Sequence, residues 1–256
     1  LLAAAENLLA RAGDEKTVLA NHIRQDGDEH AEASSIIDAF FASKLPDLFR
    51  SQYGQPAALN LSNSAIRRHR TGGSPSLVGW HMDINFVLDD QPYLVAWTPL
   101  HDAGESRAGL EFCWPKSPMA LSDFASAWVG LMRDEQTGVF EQHHLDALFA
   151  RAGSQTRAPK VPAGSSIVFD QFVLHRTQVL PEATEERISI EFRMADLTRP
   201  SKIFSKPKVI GLFAAQQTAG EAGDIAFFRS WEGAVSPIAK EALRELSFSG
   251  LNAAKG

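Results

Sequence analysis

In the stretch 79-GWHMDINFVLDD-90, His81 and Asp83 stand two residues apart in an otherwise apolar, strand-forming run. On a strand, positions i and i+2 share a face. Burying an imidazole and a carboxylate there costs free energy unless each finds a partner. Either the pair hydrogen-bonds to its surroundings and orients a loop, or it binds a metal with a further ligand. That further ligand is available far along the chain as His175, in 169-FDQFVLHRTQ-178. Two imidazoles and one carboxylate suit non-haem Fe(II) and leave three adjacent coordination positions open. Thiolates would favour zinc or clusters, and the single cysteine, Cys113, lies outside these segments.

Twelve residues after His175 comes Arg187, in 187-RISIEFR-193. A guanidinium grips a carboxylate through two parallel hydrogen bonds, and Ser189, on the same strand face, can add a third. An arginine aimed into a barrel without an acidic partner is costly, so an anionic ligand is a natural resolution. Arg193 shares that face, two side-chain steps beyond Ser189, and is a rival for the same role.

The elements that must position these groups follow from the texture of the chain. Residues 1 to about 24 and 34-SSIIDAFFASKLPDLFRSQY-53 space apolar residues three and four apart, which predicts helices, the second capped by Ser34 or Ser35. From Asn60 onward come short segments rich in β-branched and aromatic residues, separated by Gly, Pro, Asp and Ser. These are 64–70, 77–88, 93–100 and 108–114, then, after a helical insertion at 118–135 and 141–153, 165–172, 173–180 and 186–197. A final helix is expected near 235–248. The pattern predicts one α+β domain over 1–256, with a helical flank (1–59), a jelly-roll core (60–197, insertion 118–153) and a helical extension (198–256).

Four ordered blocks carry a family resemblance. They are His81-Met82-Asp83, 95-VAWTPLHDAGESRAGLEFCWP-115, 163-AGSSIVFDQFVLHRT-177 and Arg187-x-Ser189. Together, over roughly residues 60–195, they resemble the Fe(II)- and 2-oxoglutarate-dependent dioxygenases, in the phytanoyl-CoA dioxygenase-like branch. The resemblance implies a double-stranded β-helix, a cupin-like barrel with helices packed outside. It implies His81, Asp83 and His175 as iron ligands and Arg187 as partner of the distal carboxylate of 2-oxoglutarate. It also implies that Thr177 contacts the cosubstrate and that Trp97 lines the same pocket. The chain departs from the branch at Trp114-Pro115-Lys116-Ser117, where a P-G-S-H-like turn is common, and in its long spacing from His175 to Arg187. Related halogenases replace the carboxylate ligand with a small residue, so Asp83 implies hydroxylation, desaturation or another oxidation of a small organic molecule by O₂.

Other features narrow the field. A net charge of −6 and a pI near 5.8 argue against a nucleic-acid surface. No apolar run is long enough for a transmembrane helix. The opening LLAAAENLLARAG, which begins without Met, reads as an amphipathic helix and not a signal peptide. One cysteine fits a reducing, cytoplasmic compartment. In 67-RRHR-70, Arg68 and Arg70 share one strand face and Arg67 and His69 the other, so one face could meet an anionic substrate, with Arg68 a candidate, while the other is solvated. Asn85 and Phe86 follow the first two ligands and are candidates for the substrate pocket. His143 and His144 read as exposed on a helix, His101-Asp102 as a turn, and Cys113 as a small buried hydrophobe. Two readings from other classes stay open: a jelly-roll module that binds a ligand without redox turnover, and a cupin-like metal-dependent isomerase. Oligomeric state is not legible in the sequence.

Overall fold

The computed structural model describes residues 1–23, 28–61, 63–70, 78–83, 92–114, 146, 155–171, 173–178, 180, 183–196, 212–214 and 225–228. The expected helices at 118–135, 141–153 and 235–248 lie outside the described residues, apart from Asp146, which is helical. So do Asn85, Phe86, His143 and His144.

Four helices lead the chain: α1 (Leu2–Ala12), α2 (Leu19–Ile23), α3 (Asp28–Ala42) and α4 (Leu45–Tyr53). The single helix expected over 1–24 is instead broken at Gly13. This residue adopts φ 66°, and its N–H bonds back to the carbonyls of Leu9 and Ala10. That left-handed cap ends α1 and turns the chain into a short strand, β1 (Lys16–Val18). The cap expected at Ser34 or Ser35 is also corrected. Helix α3 runs through both serines, and Ser35 donates its hydroxyl to the carbonyl of Glu32 one turn back. Helix α4 begins with Pro46 in its first turn and ends at Gly54 (φ 70°).

The remaining strands are β2 (Ala57–Asn60), β3 (Ala65–His69), β4 (Tyr93–Pro99), β5 (Leu110–Trp114), β6 (Gln155–Arg157), β7 (Ser166–Asp170), β8 (His175–Thr177), β9 (Arg187–Asp196), β10 (Leu212–Ala214) and β11 (Ile225–Phe228). The main sheet has the order β1-β3-β9-β4-β7-β11, with β2 on the far end of β9 and β10 beside β2. Its pairings are antiparallel except β7–β11, which is parallel. A second antiparallel sheet has the order β6-β5-β8. The class is α+β, as the sequence predicts. Beyond residue 197, where helix was expected, β10 and β11 add strands to the main sheet.

Two apolar layers result. On the outer side of the main sheet, Leu8, Ile36, Phe40 and Phe49 from the helices pack on Ile188, Ile190, Phe192 and Met194 of β9. On the inner side, Val95 and Trp97 of β4 and Ile167 and Phe169 of β7 meet Leu110 and Phe112 of β5. Each such fully buried side chain contributes about 1.5–3 kcal/mol relative to exposure. At the turn after β4, Gly104 has φ 104°, and a Cβ there would lie 2.8 Å from the Pro159 carbonyl oxygen, so only glycine fits. The expected turn at His101-Asp102 is present, with Asp102 Oδ1 accepting from the Ala163 N–H at 2.8 Å. Cys113 is half-buried, not fully buried as expected.

Candidate metal centre

The site is built where the two sheets meet. Instead of a continuous strand through 77–88, the described part forms a single antiparallel bridge between His81 and His175. The bridge consists of two backbone hydrogen bonds, His81 N–H to His175 O at 2.9 Å and His175 N–H to His81 O at 3.0 Å. Asp83 follows in a turn, not on a ladder, so the i, i+2 strand argument does not account for its direction. The three residues nonetheless converge, each offering a ligand atom within 4.8 Å of the others, and all three are buried. Met82 between them is also buried.

The local hydrogen bonds prepare the imidazoles. His81 Nδ1 lies 2.8 Å from the Gly79 carbonyl oxygen and His175 Nδ1 lies 2.9 Å from that of Val173. A carbonyl only accepts, so each Nδ1 carries the proton and each Nε2 keeps its lone pair. Burial, then the neighbouring His175, pushes His81 down to about 3. Burial likewise lowers His175, against the pull of Asp83. Both rings are therefore neutral at physiological pH, the form that ligates metal. At Asp83 burial opposes ionisation, but Arg193 and then the two imidazoles outweigh it and hold the carboxyl below its ordinary range. Arg193 Nη1 stands 2.7 Å from Asp83 Oδ2, yet it is not aligned as a hydrogen bond, and both carboxylate oxygens lack an aligned donor among the described residues. A buried, ionised carboxylate whose Oδ2 is charge-paired with Arg193 and whose Oδ1 has no partner among the described residues, beside two imidazole lone pairs, fits a divalent metal of the iron type.

The same cavity holds the other polar candidates. Arg187 is buried, donates to the carbonyl oxygens of Ala108 and Gly109, and lies 4.9 Å above the ring of Trp97. Its Nε has no hydrogen-bond partner among the described residues. Burial, partly offset by Glu191, pushes Arg187 down to about 10, so it is still a cation at neutral pH. Thr177 lines the cavity, its Oγ1 accepting from the Val78 N–H at 3.2 Å. Ser189 is fully buried one step along β9, and its Oγ lacks a partner among the described residues. The structure thus brings His81, His175, Thr177, Arg187 and Trp97 to one cavity, with Asp83 at its edge through Arg193.

Arg68 does not join them. Its face of β3 is that of Ile66, which packs in the helix-side core, whereas Arg67 and His69 line the cavity. The sequence assigned the two faces correctly but could not say which one turns inward. His69 is pushed down to about 4 by burial and then by Arg187. Glu191 escaped notice because a glutamate between apolar neighbours reads as a solvent-facing residue. Here it is buried, with Oε1 2.5 Å from Arg67 Nε and Oε2 3.0 Å from Arg193 Nη2. Arg193, the rival for the carboxylate role, bridges Glu191 and Asp83. The strand alternation that pointed to Arg187 and Ser189 also contained Glu191.

No protein-family model and no curated protein matches the sequence. Solved structures do. The chain is similar to the non-heme alpha ketoglutarate dependent carbocyclase SnoK from nogalamycin biosynthesis, with a TM-score of 0.53 and 16% identity over 86% of this chain and 83% of that one. It is similar to the epimerase SnoN in complex with Fe3+, alpha ketoglutarate and nogalamycin RO, with a TM-score of 0.52 and 16% identity over 87% and 85%. It is also similar to EctD from S. alaskensis with bound Fe, with a TM-score of 0.50 and 18% identity over 88% and 77%. The chain therefore shares the fold of these solved structures, and its described residues hold a His-Asp-His cluster.

Proposed function

We propose that this protein is a non-haem Fe(II)- and 2-oxoglutarate-dependent oxygenase, with His81, Asp83 and His175 holding the metal. The observation that carries the reading is the buried cluster itself, with both Nε2 atoms kept as lone-pair donors and the carboxylate ionised. The scaffold reads as the double-stranded β-helix that the family resemblance implies. Iron, when bound, supplies O₂ activation coupled to oxidative decarboxylation of 2-oxoglutarate to succinate and CO₂. The chain's own residues bind and orient. Arg187, backed by Trp97 and left with an unpartnered Nε, takes the distal carboxylate of the keto acid, with Ser189 and Thr177 as adjoining hydroxyls. Val95, Leu110 and Phe169 keep the cavity wall apolar and exclude water from the reacting atoms.

The substrate is a small organic molecule, and hydroxylation of an unactivated C–H bond is the reaction most economical with this site. SnoN is an epimerase and SnoK a carbocyclase, so a fold of this kind also accommodates other outcomes from the same cosubstrate. The protein would act without nucleic acid or membrane. No described helix is long and apolar enough to cross a bilayer.

The decisive experiment is an anaerobic titration of the protein with Fe(II) and then 2-oxoglutarate. A visible charge-transfer band on adding the keto acid is expected. Its absence in folded, metal-loaded protein would defeat the proposal and favour a barrel that binds a ligand without redox turnover.

A further inference from the structure

We infer that Arg193 and Glu191 are positioning residues for the metal ligand Asp83, acting as a strut that reserves one carboxylate oxygen and leaves the other for the metal. The inference rests on reading His81, Asp83 and His175 as a metal site, and goes beyond it.

The geometry is a chain of four buried or nearly buried charges. Arg67 Nε holds Glu191 Oε1 at 2.5 Å, Arg193 Nη2 meets Glu191 Oε2 at 3.0 Å, and Arg193 Nη1 meets Asp83 Oδ2 at 2.7 Å. The two terminal nitrogens of one guanidinium are thus divided between two acids. A planar fork held at both tips cannot swing freely, so the position of Glu191 fixes that of Arg193. The strand reinforces this. Arg193 and Glu191 lie on the same face of β9, Arg193 stands opposite Val95 of the neighbouring β4, and its N–H is held by Ser64 Oγ at 3.0 Å. Asp83, in contrast, sits in a turn with no strand register of its own. The arginine thus touches the one ligand that lies in a turn and not on a bridge or ladder.

Two consequences follow for a bound cation. With Oδ2 facing the guanidinium, Asp83 would present Oδ1 alone to a cation. The guanidinium also withdraws negative charge from the ligand and repels the cation, so it weakens metal binding while shaping it. Glu191 relieves that effect by sharing Arg193. Arg193 and Glu191 therefore have opposite effects on metal affinity, which a merely structural pair would not.

The test is titration of wild type and variants with Co(II) alone, followed by visible absorption and by metal-dependent thermal shift. E191Q is expected to bind Co(II) about tenfold more weakly, the lower range for loss of an outer partner of a ligand. R193Q removes a positive charge beside the cation and is expected to bind it about tenfold more tightly, with an altered ligand-field band as Oδ2 becomes available. The double variant E191Q/R193Q should match R193Q, because Glu191 acts only through Arg193. The double variant also loses one charge of each sign, so it carries the test if R193Q alone fails to fold. Weaker binding in both single variants, or no change in either, overturns the inference, as does a double variant intermediate between them. Loss of 2-oxoglutarate-dependent stabilisation in R193Q with unchanged Co(II) affinity would make Arg193 the cosubstrate's partner and also overturn it. Failure of wild type to bind Co(II) is a different result, because it removes the metal-site reading itself.

Discussion

The two faces of β9 divide the labour of the molecule. Ile188, Ile190, Phe192 and Met194 look outward into the helix layer, while Arg187, Ser189, Glu191 and Arg193 look inward. One strand thus belongs to two environments, an apolar seam and a buried polar row. Changes on the outward face should therefore act on stability, and changes on the inward face on the proposed metal and keto-acid site. A polar face in a protein interior is expensive, so its presence on the central strand of the sheet marks where function outweighs stability.

The sharpest way to break this comparison is at the metal cluster. Asp83→Ala should reduce 2-oxoglutarate-dependent succinate formation to background in folded protein, and turnover retained near wild type would remove Asp83 from the ligand set. On the outward face, Phe192→Ala should cost about 3 kcal/mol in denaturant unfolding, typical of a buried aromatic lost from a core. Its Co(II) affinity per folded molecule should stay at the wild-type value, and a loss there would show that the faces are not separable. On the inward face, Arg187→Met should weaken 2-oxoglutarate by about 30-fold or more, the ~2 kcal/mol lower bound for losing one partner of a buried charged contact. Metal affinity should hold, as measured by keto acid-dependent thermal shift at fixed metal.

A further effect is on pH dependence, and it also separates the faces. His69 and His81 titrate at about 4 and about 3 in the folded chain against an ordinary 6.5. The unfolded chain therefore binds more protons between those values. The stability they contribute is complete above about pH 6.5 and is lost as pH falls toward their folded values. Glu191 and Asp83, both held below their ordinary 4.5 and 3.8, extend the loss to lower pH. Unfolding free energy measured in metal-free protein should fall between pH 7 and pH 5, and His69→Gln should make that slope shallower. Phe192→Ala should shift the curve down without changing its slope.

Much of the site was legible because its residue types are unusual where they stand. A histidine and an aspartate in an apolar run, and an arginine in a β-branched strand, conflict with burial and so ask for partners. The fold class was legible for the same periodic reasons. What escaped was direction. In 67-RRHR-70 both parities carry cations, so alternation separates Arg67 from Arg68 without saying which turns inward, and the answer comes from Ile66 joining the helix core. Glu191 was hidden because its counter-charge, Arg67, is distant in sequence and comes opposite the adjacent Ser189 only through the β3–β9 register. The break at Gly13 comes from a local glycine cap that apolar periodicity does not register, whereas α3 extends back to Asp28 past the candidate caps Ser34 and Ser35.

The backbone bridge between His81 and His175 joins two segments that are distant in the chain. Bringing two distant segments together carries a loop-closure entropy cost, and in many metal proteins the ion itself offsets it, so that removing the metal unfolds the chain. Here two main-chain hydrogen bonds already join the segments at the ligand positions. The tie is made by peptide groups and not by the imidazoles. A side-chain change at either histidine should therefore remove a proposed ligand while leaving the two segments joined.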